Sequence, residues 1–187
     1  MAFKVKDLGL AEAGKLKIEW ATTRMPVLER LRERYVNEKP LKGIRISGCL
    51  HITKETAVLV EALRAVGAET AWSGCNPLST QDDVAAALAK EGVAVYGWRA
   101  LGVEDYYWCI DQTVNFKPHL TLDDGADLTL RLHQKGAPQL KDVIGGTEET
   151  TTGVHRLRVM HESGELRYPI IAVNDAETKW DFDNVWG

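Results

Sequence analysis

The sequence predicts an α/β domain of three layers, a mostly parallel sheet flanked by helices, preceded by a pair of N-terminal helices. Three observations carry this reading. Short β-prone runs alternate with helical stretches from Gly43 onward. The helical stretches are long enough to serve as the crossovers that parallel strands require. Most of the β-prone runs lead into a loop rich in polar residues and glycine. A sheet built this way is covered on both faces, in the Rossmann-like or flavodoxin-like manner.

Taken in order, Leu10 to Tyr35 is rich in Ala, Glu, Lys, Arg and Leu, as helices are. Pro26 does not belong deep inside a helix but suits the first turn of one. One helix is therefore expected to end near Met25 and a second to run from Pro26 to Tyr35, with Pro40 breaking the pattern. Residues 1–40 are read as helices packed on a domain formed by residues 41–187. Strands are predicted at Ile44 to Ser47, Thr70 to Trp72, Val93 to Tyr96, Leu120 to Leu122, Asp142 to Ile144 and Ile170 to Val173. Between them, Lys54 to Val66 has a broad apolar face and stops at Gly67, a suitable C-cap. Gln81 to Glu91 follows Ser79 or Thr80 as N-cap and ends at Gly92. A third helix is predicted over Val103 to Asn115, and a fourth begins near Glu149 or Thr150.

The composition is that of a globular protein, with 44% hydrophobic and 27% charged residues. Basic residues number 23 against 27 acidic ones, a net charge of −4. Nucleic-acid binding calls for a basic face, and nothing here suggests one. No apolar run approaches the roughly 20 residues that span a bilayer, so no membrane partner is expected. The three cysteines, Cys49, Cys75 and Cys109, are widely spaced and contain no Cys-x-x-Cys. That argues against a disulfide framework and for a reduced, cytoplasmic setting.

The polar loops follow the strands in turn. The first is Gly48-Cys49-Leu50-His51-Ile52-Thr53 and the second Ser73-Gly74-Cys75-Asn76, continuing to Asp82. Asp123-Asp124-Gly125, then Glu148-Glu149-Thr150-Thr151-Thr152, then Asn174 to Lys179 complete the set. In a parallel sheet these loops share the edge where ligands bind. Each residue also has a plain structural use. His51 can satisfy backbone groups at a strand end, Asp123 and Asp124 can cap a helix, and the threonines can start one. Adjacent carboxylates such as Glu148 and Glu149 repel unless one points away or finds donors, and a carboxylate is well suited to hold vicinal ribose hydroxyls. Lys179 stands four residues before Asp183, a helical spacing that would let them meet. His51, Asp123, Asp124 and Glu149 could ligate a metal, but no spacing fixes them on one rigid element, and no metal site is expected.

Several motifs together resemble the S-adenosylhomocysteine hydrolase family. They are Gly48-Cys-Leu-His-Ile-Thr53, Cys75-Asn76 with Ser79-Thr-Gln-Asp82, and Leu122-Asp-Asp-Gly125. Glu148-Glu-Thr-Thr-Thr-Gly-Val-His155, Val173-Asn-Asp175, Thr178-Lys179 and Phe182-Asp-Asn184 follow in order. The resemblance implies reversible cleavage of S-adenosylhomocysteine to adenosine and homocysteine, using NAD to oxidise the ribose 3′-hydroxyl and so acidify the 4′-proton. By the same resemblance Thr53 and Glu55 meet the adenine, and Glu149 holds the ribose hydroxyls. Lys179 and Asp183 sit at the 3′-hydroxyl, and His51 and Asp124 handle protons near C4′ and C5′. Thr150, Thr151, Thr152 and Asn184 touch the cofactor, and the family's assembly is typically a homotetramer. An acceptor at Glu55 suits adenine over hypoxanthine.

The family's Gly-x-Gly-x-x-Gly fingerprint does not occur in these 187 residues. The chain is therefore expected to be the substrate-binding part of such an enzyme, without its NAD-binding domain and inactive alone. Rival readings are a stand-alone small-molecule binding module, an S-inosylhomocysteine-type hydrolase and a metal-dependent hydrolase.

Overall fold

The computed structural model describes residues 3–183 and 185, apart from the side chains of Ala137 and Asp183. Asn184 and the Asp183 side chain, both singled out above, thus lie outside the described residues. Among the described residues the sheet strands are β1 (Arg45–Cys49), β2 (Glu69–Ser73), β3 (Ala94–Tyr96), β4 (Leu120–Asp123), β5 (Gly145–Glu148) and β6 (Ile170–Ala172). They form one sheet in the order β3-β2-β1-β4-β5-β6, with every neighbouring pair parallel. The three-layer α/β fold is as the alternation predicts. The chain turns back at β1, so β1 and β4 are neighbours although far apart in sequence. That reversal is the place where open α/β sheets leave a crevice at the strand ends.

Helices α1 (Ala11–Thr22), α2 (Pro26–Tyr35), α3 (Lys54–Ala65) and α4 (Asp82–Lys90) belong to one side of the sheet. Ile18 and Ala21 of α1 share a core with Ala57, Val58 and Val60 of α3, Val84 and Leu88 of α4, and Trp72 of β2. Gly14 lets α1 approach α4 closely, since a Cβ there would run into the Asp83 carbonyl. Helices α5 (Val103–Asn115) and α6 (Asp127–Lys135) close the other side, with Cys109, Ile110, Val114, Leu128 and Leu132 in a second core. After α6 come a single turn, α7 (Ala137–Leu140), and α8 (Thr151–Glu162), whose Leu157 and Met160 pack with Ala126. At one edge the N-terminal segment lies along β3, where Lys4 N–H donates to the Val95 carbonyl at 3.0 Å.

Helix α1 ends at Thr22, three residues before the expected Met25, and the N-cap of α4 is Gln81 rather than Ser79 or Thr80. The fifth strand differs most. The apolar run Asp142 to Ile144 precedes it, and the strand itself is Gly145-Gly146-Thr147-Glu148. Gly146 stands against Thr121 of β4, where a Cβ would collide with the threonine hydroxyl. Close packing beside β4 thus places glycine in a strand interior, against ordinary β propensity. Helix α6 is absent from the expected helices because its first turn is capped from elsewhere in the chain, as the site shows.

Candidate active site

Pairing register lines up the strand ends. Ser73, Cys49, Asp123, Glu148 and Ala172 form one row across β2, β1, β4, β5 and β6. The residues just past that row are the polar ones singled out from sequence, and the sheet brings them to one edge.

At the reversal between β1 and β4, His51 Nε2 lies 3.4 Å from Asp124 Oδ2. His51 Nδ1 is 2.6 Å from Ser79 Oγ, which fixes the ring from behind. The Cys75 thiol donates to Asp124 Oδ2 at 3.4 Å. Burial and the neighbouring Asp124 carboxylate push that thiol well above its ordinary range, so it is protonated at neutral pH. The His51 side chain is 45% exposed and Asp124 only 13%, so the pair has one wet and one sheltered member.

The turn carrying Asp124 is held from beneath. Gly125 and Ala126 both have positive φ, 94° and 65°, a conformation that disfavours alanine by about 1–2 kcal/mol. The fully buried Glu148 carboxylate secures it, accepting from Gly125 N–H at 2.8 Å and Ala126 N–H at 3.0 Å. It also accepts from the Thr150 N–H and hydroxyl at 2.9 and 2.8 Å. Gly153 is required there, because a Cβ would strike the same carboxylate. Asp123 caps α6, accepting from Leu128 N–H at 3.3 Å and Thr129 N–H at 2.8 Å. Burial, with Glu148 nearby and despite those donors, pushes its carboxyl up to about 7.

Glu149 points the other way. Its Oε1 is 3.2 Å from Lys179 Nζ, and the same ammonium donates to the Glu149 carbonyl and, at 3.0 Å, to Asn174 Oδ1. Thr151 Oγ1 donates to Asn174 Oδ1 at 3.2 Å. Lys179 opens a π-helical turn, Lys179–Asp183, and its described carboxylate partner is Glu149 on the neighbouring loop. Thr150 caps α8, while Thr151 and Thr152 are exposed at its first turn. Thr53 caps α3 through Thr56 N–H, and the Glu55 carboxylate lies 2.7 Å from Lys54 Nζ.

The structure therefore joins His51 with Asp124, and Glu149 with Lys179. Asp123 and Glu149, weighed above as metal ligands, are engaged by α6 and by Lys179. Sequence reasoning gave no role to Cys75 or Asn174 and only a helix cap to Ser79, although each falls within a motif quoted above. From sequence Asp127 is only part of the polar loop after the fourth strand, and Tyr106 carries no local signal. The Tyr106 hydroxyl donates to Asp127 Oδ2 at 2.7 Å and is 2.9 Å from the Cys75 carbonyl, joining two loops from α5.

The glycines beside the threonines serve internal packing, at Thr121 and Glu148, and form no phosphate-cradling turn. Exposed hydroxyls at the start of α8 can donate to and accept from sugar hydroxyls or phosphates.

Comparison with known proteins is consistent along the whole chain. The chain is 56% identical over 184 residues to an adenosylhomocysteinase of Sulfurisphaera tokodaii, covering 98% of this chain and 44% of that protein. It is 54% identical over 185 residues to one of Aeropyrum pernix, covering 99% and 44%. An S-inosyl-L-homocysteine hydrolase of Methanopyrus kandleri is 52% identical over 185 residues, again 99% and 44%. The chain thus spans less than half the length of these relatives. The family model for S-adenosyl-L-homocysteine hydrolase matches residues 2–141 and 137–185, nearly all of the sequence, and the chain belongs to that family.

Proposed function

We propose that this chain is the nucleoside-binding part of an adenosylhomocysteinase, and that it holds the adenosine portion of S-adenosylhomocysteine in the crevice between β1 and β4. The observation that carries the reading is the placement of two ion-pair systems, His51 with Asp124 and Lys179 with Glu149, on adjoining loops of one sheet edge. One can serve the 5′ side of a ribose and the other its 2′ and 3′ hydroxyls.

In this reading Glu149 accepts from the vicinal hydroxyls, and Lys179, held by Asn174, serves the 3′-hydroxyl and takes its proton. The family resemblance assigns Asp183, whose side chain lies outside the described residues, to the same hydroxyl. His51 and Asp124 remove and return protons at C4′ and C5′, with Ser79 keeping the imidazole aligned. Thr53 and Glu55, at the start of α3, face the base. NAD, when bound, would supply hydride abstraction from C3′. Thr151 and Thr152 would meet its near edge, and Thr150, whose hydroxyl is bonded to Glu148, fixes the loop; Asn184, which the family resemblance also assigns to the cofactor, lies outside the described residues. Adenosine and homocysteine are the products, and water is the second reactant.

Inosine is the second reading. The identity to the Methanopyrus S-inosyl-L-homocysteine hydrolase, 52%, is close to that for the adenosylhomocysteinases. Titration of adenosine and inosine into isotopically labelled chain tests both. Adenosine should perturb the amides of His51–Glu55, Asp124–Ala126 and Glu149–Thr152, with Glu149→Gln weakening the response. A stronger response to inosine replaces the substrate, and millimolar adenosine that leaves these amides unmoved removes the reading.

A further inference from the structure

One cluster at the crevice has a chemistry that nucleoside binding does not account for. His51, Cys75 and Asp124 each present a ligand atom, and all three atoms lie within 4.8 Å of one another. His51 Nε2 and Cys75 Sγ are each 3.4 Å from Asp124 Oδ2. Tetrahedral zinc, with bonds of about 2.0 Å to nitrogen or oxygen and about 2.3 Å to sulfur, sets neighbouring ligand atoms about 3.3–3.5 Å apart. The two shorter spacings already match that geometry.

Each donor is held by a different element. His51 leaves β1, Cys75 leaves β2 and Asp124 leaves β4. Ser79 Oγ can accept from Nδ1–H at 2.6 Å, which turns the Nε2 lone pair toward Asp124. That is the second partner that metal-binding histidines generally have. The Tyr106 hydroxyl, 2.9 Å from the Cys75 carbonyl, packs beside the thiol's loop. The exposed side of His51 leaves room for a fourth ligand from solvent.

We propose that His51, Cys75 and Asp124 form a three-ligand site for a zinc-class divalent cation, open at its fourth position. Imidazole and thiolate select such a cation over calcium or magnesium, which take oxygen ligands. Binding forms a metal–sulfur bond and releases the thiol proton to solvent, and one thiolate and one carboxylate then neutralise the dication. A bound cation would also take His51 and Asp124 away from proton transfer. That consequence rests on the function proposed above, whereas cation binding itself does not.

The test uses the 187-residue chain, Co2+ and Zn2+, and no nucleoside, so that its outcome is independent of adenosine binding. Co2+ should bind one to one with a thiolate-to-cobalt charge-transfer band, and Zn2+ should displace it. Calorimetry in buffers of different ionisation enthalpy should show about one proton released per cation. Cys75→Ser should abolish the band, Ser79→Ala should weaken binding by about tenfold, and His155→Ala on the exposed face of α8 should change nothing. Circular dichroism establishes that each variant is folded. A band that survives in Cys75→Ser, a wild-type chain without a band, or affinity unchanged in both His51→Ala and Asp124→Asn would each overturn the assignment.

Discussion

Glu148 and Glu149 are adjacent and chemically alike, yet they do unrelated work. Glu148 is fully buried with four donors on it, while Glu149 meets Lys179 at the crevice. Removing the buried carboxylate leaves those donors unpaired and frees a turn with two positive-φ residues. Glu148→Ala should therefore cost about 3 kcal/mol or more, because hydrogen bonds to charged groups contribute about 1.5–3 kcal/mol each. Urea denaturation checks this, and a loss below about 1 kcal/mol would contradict it. Glu61 of α3 offers a pH test. Burial, with Glu91 nearby and only partly offset by Arg32, pushes its carboxyl up to about 7. The folded state then holds a proton that the unfolded state has released, so this contribution is full below about pH 4.5 and is lost as pH rises through about 7. Stability relative to Glu61→Gln should fall across that window by on the order of 1 kcal/mol, allowing for solvent screening. Equal pH profiles for the two proteins would refute it.

At the level of elements, tight contacts reverse what local propensity suggests. An exposed helical glycine replaced by alanine ordinarily gains about 0.5–1 kcal/mol. Gly14 of α1 faces the backbone of Asp83 at the start of α4, and there a methyl group has no space. Gly14→Ala should thus destabilise by about 1–3 kcal/mol, the usual cost of overpacking, measured as a lowered denaturation midpoint. A stabilised variant would show that the helices separate freely. The same principle explains β5. Asp142 to Ile144 has the stronger β-prone composition, but the place beside Thr121 admits the glycine pair and so sets the strand at Gly145–Glu148. Window-based reading sees composition and misses the neighbour across the sheet.

Across the whole molecule, one sheet edge gathers loops from β1, β2, β4, β5 and β6, and these carry the nucleoside contacts proposed above. The family's hydride chemistry calls for a pyrophosphate-cradling glycine turn, which these residues do not contain. The 187-residue chain on its own should therefore show no turnover of S-adenosylhomocysteine, as followed by homocysteine release. Adenosine should bind it weakly. Measurable turnover, or a submicromolar affinity by calorimetry, would contradict the division of labour.

The sequence by itself determined the alternation of strands and helices, two helix ends at Gly67 and Gly92, and the polar residues that follow the strands. It also determined the family, through motifs whose residues are contiguous. These are local properties, written in windows of a few residues. Only the tertiary structure decided that β1 and β4 are neighbours, which places His51 beside Asp124. It also decided that Glu148 serves the backbone and Glu149 the crevice, that Lys179 pairs with Glu149, and that Cys75 completes a triad. Each depends on pairing register between segments distant in sequence, and a local window contains no term for that contact.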